Sequence, residues 1–355
     1  MSGNTETKFE KEFEVHPILQ FLDDKYGAYR RWIESEGIPV LSGSYVADVR
    51  SVELGEWKRK GGKGAYLRFS DQLVDDAYAC EIAPGSSLKP QRHLYEEMVL
   101  IAEGRGATTV WYDGTPKRTF EWEKGSLFSV PLNAWYQHFN SSGSEPARLF
   151  ALTSAPPVVE LYRDLDFIFN TNRSFRDRFD PSQEDFFARP GKYHTEYYGG
   201  VLHSNFISNI REIKLVPRAR KGGDNKNMYI HMAGGTMFAH VSEFPVGTYT
   251  KAHRHGPGAH IYILDPTGYT LMWQEGESPK RYEWYEGSVI SPPAGFWHQH
   301  FNTGRRPSRY VALHASRAIE RYEGGIDQIE FENEDKSVRR LFAEECAKNG
   351  VTVNM

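Results

Sequence analysis

Two short runs hold the residues of this chain best suited to binding a metal ion: TYTKAHRHGPGAH at 248–260 and SPPAGFWHQHFN at 291–302. His253 and His255 are two apart, so on a β-strand both imidazoles project from one face and can chelate one ion. His260 follows a Gly-Pro-Gly turn, and His298 follows a Pro-Ala-Gly turn on a later strand. Four neutral nitrogens converging in this way suit a divalent metal, with Fe(II), Mn, Ni, Cu or Zn all compatible. His300 and Asn302 continue from His298 in steps of two and share its face. His300 reads either as a general acid/base or as a group that orients a ligand, and Tyr262, Trp273, Phe296 and Trp297 read either as pocket wall or as plain core.

The elements that must position these residues are strands. TTVWY at 108–112 and YTLMW at 269–273 are strand-like, and DGT, PTG and EGE punctuate such runs. With 32 Gly, 19 Pro and 14% aromatic residues, the composition indicates short strands and frequent turns. An internal repeat then decides the architecture. SYVADVR from Ser44 parallels NFISNIR from Asn205, EIAPGSSLKPQRH ending at His93 lies over EFPVGTYTKAHRH ending at His255, and PLNAWYQHFN from Pro131 lies over PAGFWHQHFN from Pro293. The offset is about 161 residues, the length of one repeat unit with its connector.

This organisation predicts an N-terminal helical arm over 1–43, a first barrel over 44–156, an ordered aromatic connector over 157–204, a second barrel over 205–318 and a helical tail over 319–355. The arm carries helical spacing at 16–36, and the tail places Val338, Leu341, Phe342 and Cys346 on one face before Gly350.

The paired runs resemble the two sequence motifs of the cupin superfamily. Gly287, Pro293, Gly295, His298 and Asn302 meet the second motif in full. Gly247, His253 and His255 meet the first, but His260 takes the place of the usual glutamate after a gap one residue longer. The resemblance implies a bicupin: an all-β-dominated fold of two tandem jelly-roll barrels with flanking helices. It implies His253, His255, His260 and His298 as ligands of one divalent metal, Fe(II) before the alternatives. In the first copy Gln91 and Tyr136 replace two of the histidines while His93 and Glu97 remain, so that barrel is expected to be metal-free.

Among such proteins the resemblance is to gentisate- and salicylate-type dioxygenases, which implies O2 and a small aromatic or enolisable substrate. A redox-neutral lyase, isomerase or decarboxylase and a non-enzymatic ligand-binding bicupin are the alternatives. Arg281 or Arg309 is a candidate partner for a substrate carboxylate, with a surface role the plainer reading. A homo-oligomer is expected by the same resemblance. The net charge of −4 without a sustained basic run argues against nucleic acid and anionic membranes as partners. No apolar run approaches the roughly 18 residues that span a bilayer, and two distant cysteines with no apolar leader fit a cytoplasmic location.

Overall fold

The computed structural model describes residues 27–69, 74–197, 199–256, 258–316 and 327–355. Each half of the repeat folds as a barrel made of one large and one small sheet. In the first half the large sheet runs Val40–Ser42, Gly62–Arg68, Asp76–Ile82, Ala147–Thr153, Glu97–Glu103, Leu127–Val130. The second half repeats this with Lys226–His231, Phe238–Phe244, Ser308–His314, Ala259–Ile263 and Val289–Ile290, extended at one edge by Val201–His203 and Lys192–His194. The small sheets are Arg105–Trp111, Arg118–Glu123 and Trp135–Asn140 in the first half, and in the second Tyr269–Trp273, Lys280–Glu283, Trp297–Phe301, His253–Arg254 and Asp327–Gln328.

Strand alternation divides the large sheets between two cores. Met98, Leu100 and Ala102 point one way and join Leu152, Ile230, Val241, Val311 and Leu313 in a core shared by both barrels. Val99 and Ile101 point the other way, into the first barrel, which is packed with Tyr78, Phe128, Tyr136 and Trp122. The connector completes this inner core with Phe179, Phe186 and Phe187, the last 4.2 Å from Phe120 between ring centres.

The two halves also exchange strands. Tyr45–Val46 pairs with Val289–Ile290 of the second barrel, and Phe206–Ile207 pairs with Leu127–Phe128 of the first. The exchange is symmetric in detail: Val49 N donates to Gly287 O and Ile210 N to Gly125 O, both at 2.9 Å. Gly287 has φ +89°, and a Cβ there would fall 2.5 Å from Asp48 Oδ1 of the arriving segment, so the residue must be glycine on both counts. Each repeated SYVADVR or NFISNIR segment therefore opens its own copy in sequence but completes the sheet of the other in space.

Of the predicted N-terminal helix, residues 16–26 lie outside the described residues; Ala28–Ser35 is helical and buries Tyr29, Trp32 and Ile33. The C-terminal helix spans Lys336–Lys348 and is capped by Asp335, which accepts from Ser337 N at 2.7 Å. It lays Val338, Phe342 and Cys346 on Tyr249, Tyr269 and Phe301, the outer face of the small second sheet. That contact fixes which side of Trp297–Phe301 faces inward: Phe301 is outside, so His298 and His300 are inside.

Candidate metal centre

His253 and His298 sit opposite each other on paired strands, with ring centres 4.2 Å apart. His255 lies 4.8 Å from His298 and 6.0 Å from His253. Nitrogens of His253, His298 and His300 lie within 4.8 Å of one another. Burial first, then Lys221 and the neighbouring imidazoles, holds His253 well below the ordinary histidine range. Burial and the neighbouring imidazoles, His255 first, do the same to His298. Both rings are neutral at physiological pH, the state a metal ligand requires.

Hydrogen bonding divides these four histidines into two kinds. His253 Nδ1 lies 3.1 Å from Lys251 O, His298 Nδ1 3.1 Å from Phe296 O, and His255 Nδ1 2.7 Å from Gly256 O. A carbonyl only accepts, so each Nδ1 carries the proton and each Nε2 is the unprotonated nitrogen. His300 is different. Trp284 Nε1 donates to Thr270 Oγ1 at 2.9 Å, and that hydroxyl lies 2.9 Å from His300 Nδ1. The hydroxyl hydrogen has no other acceptor among the described residues, so Nδ1 accepts it and Nε2 carries the ring proton. His300 is thereby a hydrogen-bond donor beside His253 and His298, with ring centres 6.0 and 5.6 Å away, and burial pushes its conjugate acid down to about 3.

His260 is not brought to this cluster. Its Nε2 lies 3.0 Å from Asp75 Oδ1 of the first barrel, and its ring packs 5.3 Å from Phe69. The cause is strand parity: Ala259 and Ile261 line the cavity, so His260 and Tyr262 point the opposite way. Tyr262 packs in the core between the barrels, 5.9 Å from Phe150. The other expected wall residues also lie elsewhere. Trp273 packs toward the C-terminal helix, Trp297 donates to Glu275 Oε2 at 2.8 Å, and Phe296 contributes its carbonyl to His298. Asn302 staples a loop, donating to Phe244 O and Arg306 O at 2.9 Å. Arg281 and Arg309 are engaged by Glu345 and Glu243.

The histidines open into a cavity of about 470 Å³ whose wall sequence reasoning missed. It is formed by Phe238, His240, Ser242 and Phe244 from one strand, with Tyr229, Tyr310 and His314 from its neighbours and Arg218 beside them. His240 Nδ1 and His314 Nε2 are hydrogen-bonded at 2.9 Å. The repeat held the signal: His240 and His314 fall over Tyr78 and Thr153 of the first copy.

In the first barrel the corresponding space is filled by protein. Lys60 and Glu97 are 1% and 0% exposed and 3.8 Å apart, and Lys60 Nζ donates to Tyr78 OH at 3.0 Å. His93 Nε2 lies 3.1 Å from Tyr136 OH and 3.4 Å from Glu97. Burial alone would raise the Glu97 carboxyl, but the Lys60 ammonium and His93 outweigh it and hold the group below the usual carboxylate range. A side-chain ammonium here stands beside the carboxylate that a metal would otherwise neutralise. The Trp122–Thr108–His138 chain, at 2.9 and 2.7 Å, repeats Trp284–Thr270–His300, which explains the shared QHFN.

A cupin domain model matches residues 78–153, the copy whose first-motif spacing is intact. Among solved structures, the chain is similar to the formate complex of Lactobacillus farciminis oxalate decarboxylase (TM-score 0.51, 11% identity, 81% of this chain and 88% of that one). A mutant of Bacillus subtilis oxalate decarboxylase gives TM-score 0.50 at 10% identity over 81% of this chain and 80% of that one. The fold is that of two tandem cupin-type barrels. The chain is also 24% identical over 145 residues to auxin-binding protein 4 of Zea mays, covering 37% of this chain and 71% of that protein. Among the described residues, no helix is long and apolar enough to cross a membrane.

Proposed function

We propose that the second barrel is a mononuclear metal enzyme in which His253, His255 and His298 hold a divalent ion and the adjoining cavity holds a small organic substrate. The observation that carries this reading is the common tautomer of the three buried or part-buried rings, each with Nδ1–H tied to a backbone carbonyl so that Nε2 is the unprotonated nitrogen. A three-imidazole set without a carboxylate suits Fe, Ni, Cu or Zn better than Mn, whose preference is for oxygen donors. When bound, such an ion would supply Lewis-acid polarisation of a substrate oxygen and, as iron, redox chemistry with O2. The chain's own part is to bind and orient. His300 donates from Nε2 to a substrate oxygen, and Phe238, Phe244 and Tyr310 exclude water around an apolar or aromatic body.

An Fe(II)-dependent dioxygenase acting on an aromatic or enolisable substrate is our first reading. A redox-neutral lyase or decarboxylase is the second, favoured by the His240–His314 pair, which shares a single proton at 2.9 Å and offers proton transfer that ring cleavage by O2 does not need. Similarity to oxalate decarboxylases agrees with the second reading at the level of fold. Anaerobic purification with elemental analysis, then O2-electrode assays on candidate aromatic and enolisable acids, separates the two. Stoichiometric iron with substrate-dependent O2 uptake is expected; turnover that persists without O2 assigns the second reading instead.

A further inference from the structure

The cavity is lined by Arg218, Lys221, Lys226 and six histidines and, among the described residues, by no aspartate or glutamate. Lys226 is neutralised by Glu243 at 3.0 Å, but among the described residues Arg218 has no such partner. Arg218 is 9% exposed, and among the described residues its guanidinium reaches only neutral groups: Nη1 donates to Asn227 Oδ1 at 3.2 Å and Nη2 to Tyr229 OH at 2.7 Å. Its Nε is buried and without a hydrogen-bond partner. Asn227 is itself fixed by Ser242 Oγ at 3.0 Å and Gly199 O at 3.2 Å, so the guanidinium is held in place by neutral neighbours. A buried cation with an idle N–H and no counter-ion is costly to the fold. The cost is offset once an anion enters the cavity.

We propose that Arg218, with Lys221 contributing a second nitrogen, forms an anion subsite that recognises the carboxylate of the substrate. The substrate class is an aromatic or branched organic acid. The planar guanidinium fork matches a carboxylate. Tyr229, Phe238, Phe244 and Tyr310 then surround an apolar body, in a volume far larger than a two-carbon diacid fills. This assignment rests on reading the cavity as the substrate chamber of the metal centre, yet the subsite itself is made without the ion.

The test uses the full chain after chelator treatment, with benzoate, benzamide and phenyl phosphate as probes in isothermal titration calorimetry. Benzoate is expected to bind and neutral benzamide not to. Arg218→Met is expected to weaken benzoate by about tenfold or more, the scale of one lost charged hydrogen bond, and Arg218→Lys to recover part of that. Lys221→Met, in a less buried position, is expected to weaken it by a smaller factor and guards against misfolding of the arginine variant. His298→Ala should leave benzoate binding intact. Equal binding of benzoate and benzamide, or no loss in either the Arg218 or the Lys221 variant, overturns the subsite. Binding of phenyl phosphate with none of benzoate overturns the carboxylate assignment. Benzoate binding in a chain that takes up no metal keeps the subsite and rejects the metal enzyme.

Discussion

Residue chemistry at this site is decided by which ring nitrogen bears a hydrogen. Three imidazoles face carbonyls through Nδ1 and one faces a hydroxyl, and that difference separates the proposed ligands from the proposed donor. It also separates His298 from His260, two residues that the sequence treats alike. His298→Ala is expected to abolish stoichiometric metal uptake. His260→Ala is expected to keep it and instead lower stability by about 1–3 kcal/mol, since buried Asp75 loses its hydrogen-bond donor. Elemental analysis and urea unfolding of both variants check this pair. Metal loss in the His260 variant with an unchanged unfolding curve would reverse the assignment. Arg218, an ordinary arginine by its neighbours in sequence, becomes conspicuous because no acid among the described residues pairs with it.

Within single strands, parity governs who lines the cavity. In the first copy Glu97 stands four residues after His93 and faces inward; its strand partner is Thr153. In the second copy the residue four after His255 is Ala259, and it pairs with His314, the counterpart of Thr153. His260 is one step further along the strand and so faces outward, and a small apolar side chain stands where the carboxylate would be. Ala259→Glu should therefore return a carboxylate to the three-imidazole set. Affinity for Mn(II), which prefers oxygen donors, is expected to rise by about tenfold relative to Zn(II), measured by competition titration. An unchanged Mn(II) preference would show that position 259 does not face the bound ion. The strand Phe238–Phe244 follows the same rule: residues 238, 240, 242 and 244 line the cavity while 239 and 241 pack between the barrels.

Across the whole molecule, two barrels share one core and trade one strand each, so neither sheet is complete without the other half. Burying so many neutral imidazoles also ties stability to pH. His138 and His300 are pushed down to about 3 by burial, against an ordinary value near 6.5 in the unfolded chain, and burial holds His240, His253 and His298 well below theirs. Their stabilisation is complete above about pH 6.5 and is lost as pH falls toward 3, because the unfolded chain then binds protons the folded one refuses. Each such histidine costs up to about 1.4 kcal/mol per pH unit. Asp76, raised to about 7 by burial, opposes them with one proton, its stabilisation being complete below about 3.9 and lost toward 7. The histidines outnumber it. Urea unfolding of the chelator-treated chain is expected to show at least about 2 kcal/mol less stability at pH 5.5 than at pH 7.5. A flat or rising profile would mean these imidazoles are not buried neutral.

The sequence by itself determined the duplication, the all-β class, the C-terminal helix and the histidines His253, His255 and His298 as a group on facing strands. These follow from local periodicity and from spacing counted along the chain, which backbone geometry converts directly into faces and turns. Tertiary structure alone decided which face met the cavity, that His260 and Tyr262 point toward the other barrel, that the aromatic wall comes from Phe238, Phe244 and Tyr310, and that each repeat lends its first strand to its partner. Adjacent strand residues face opposite ways, so a histidine one step off the ligand position turns from the cavity, and a cavity wall is assembled from strands far apart in the chain, so neither outcome is written in any one stretch of residues.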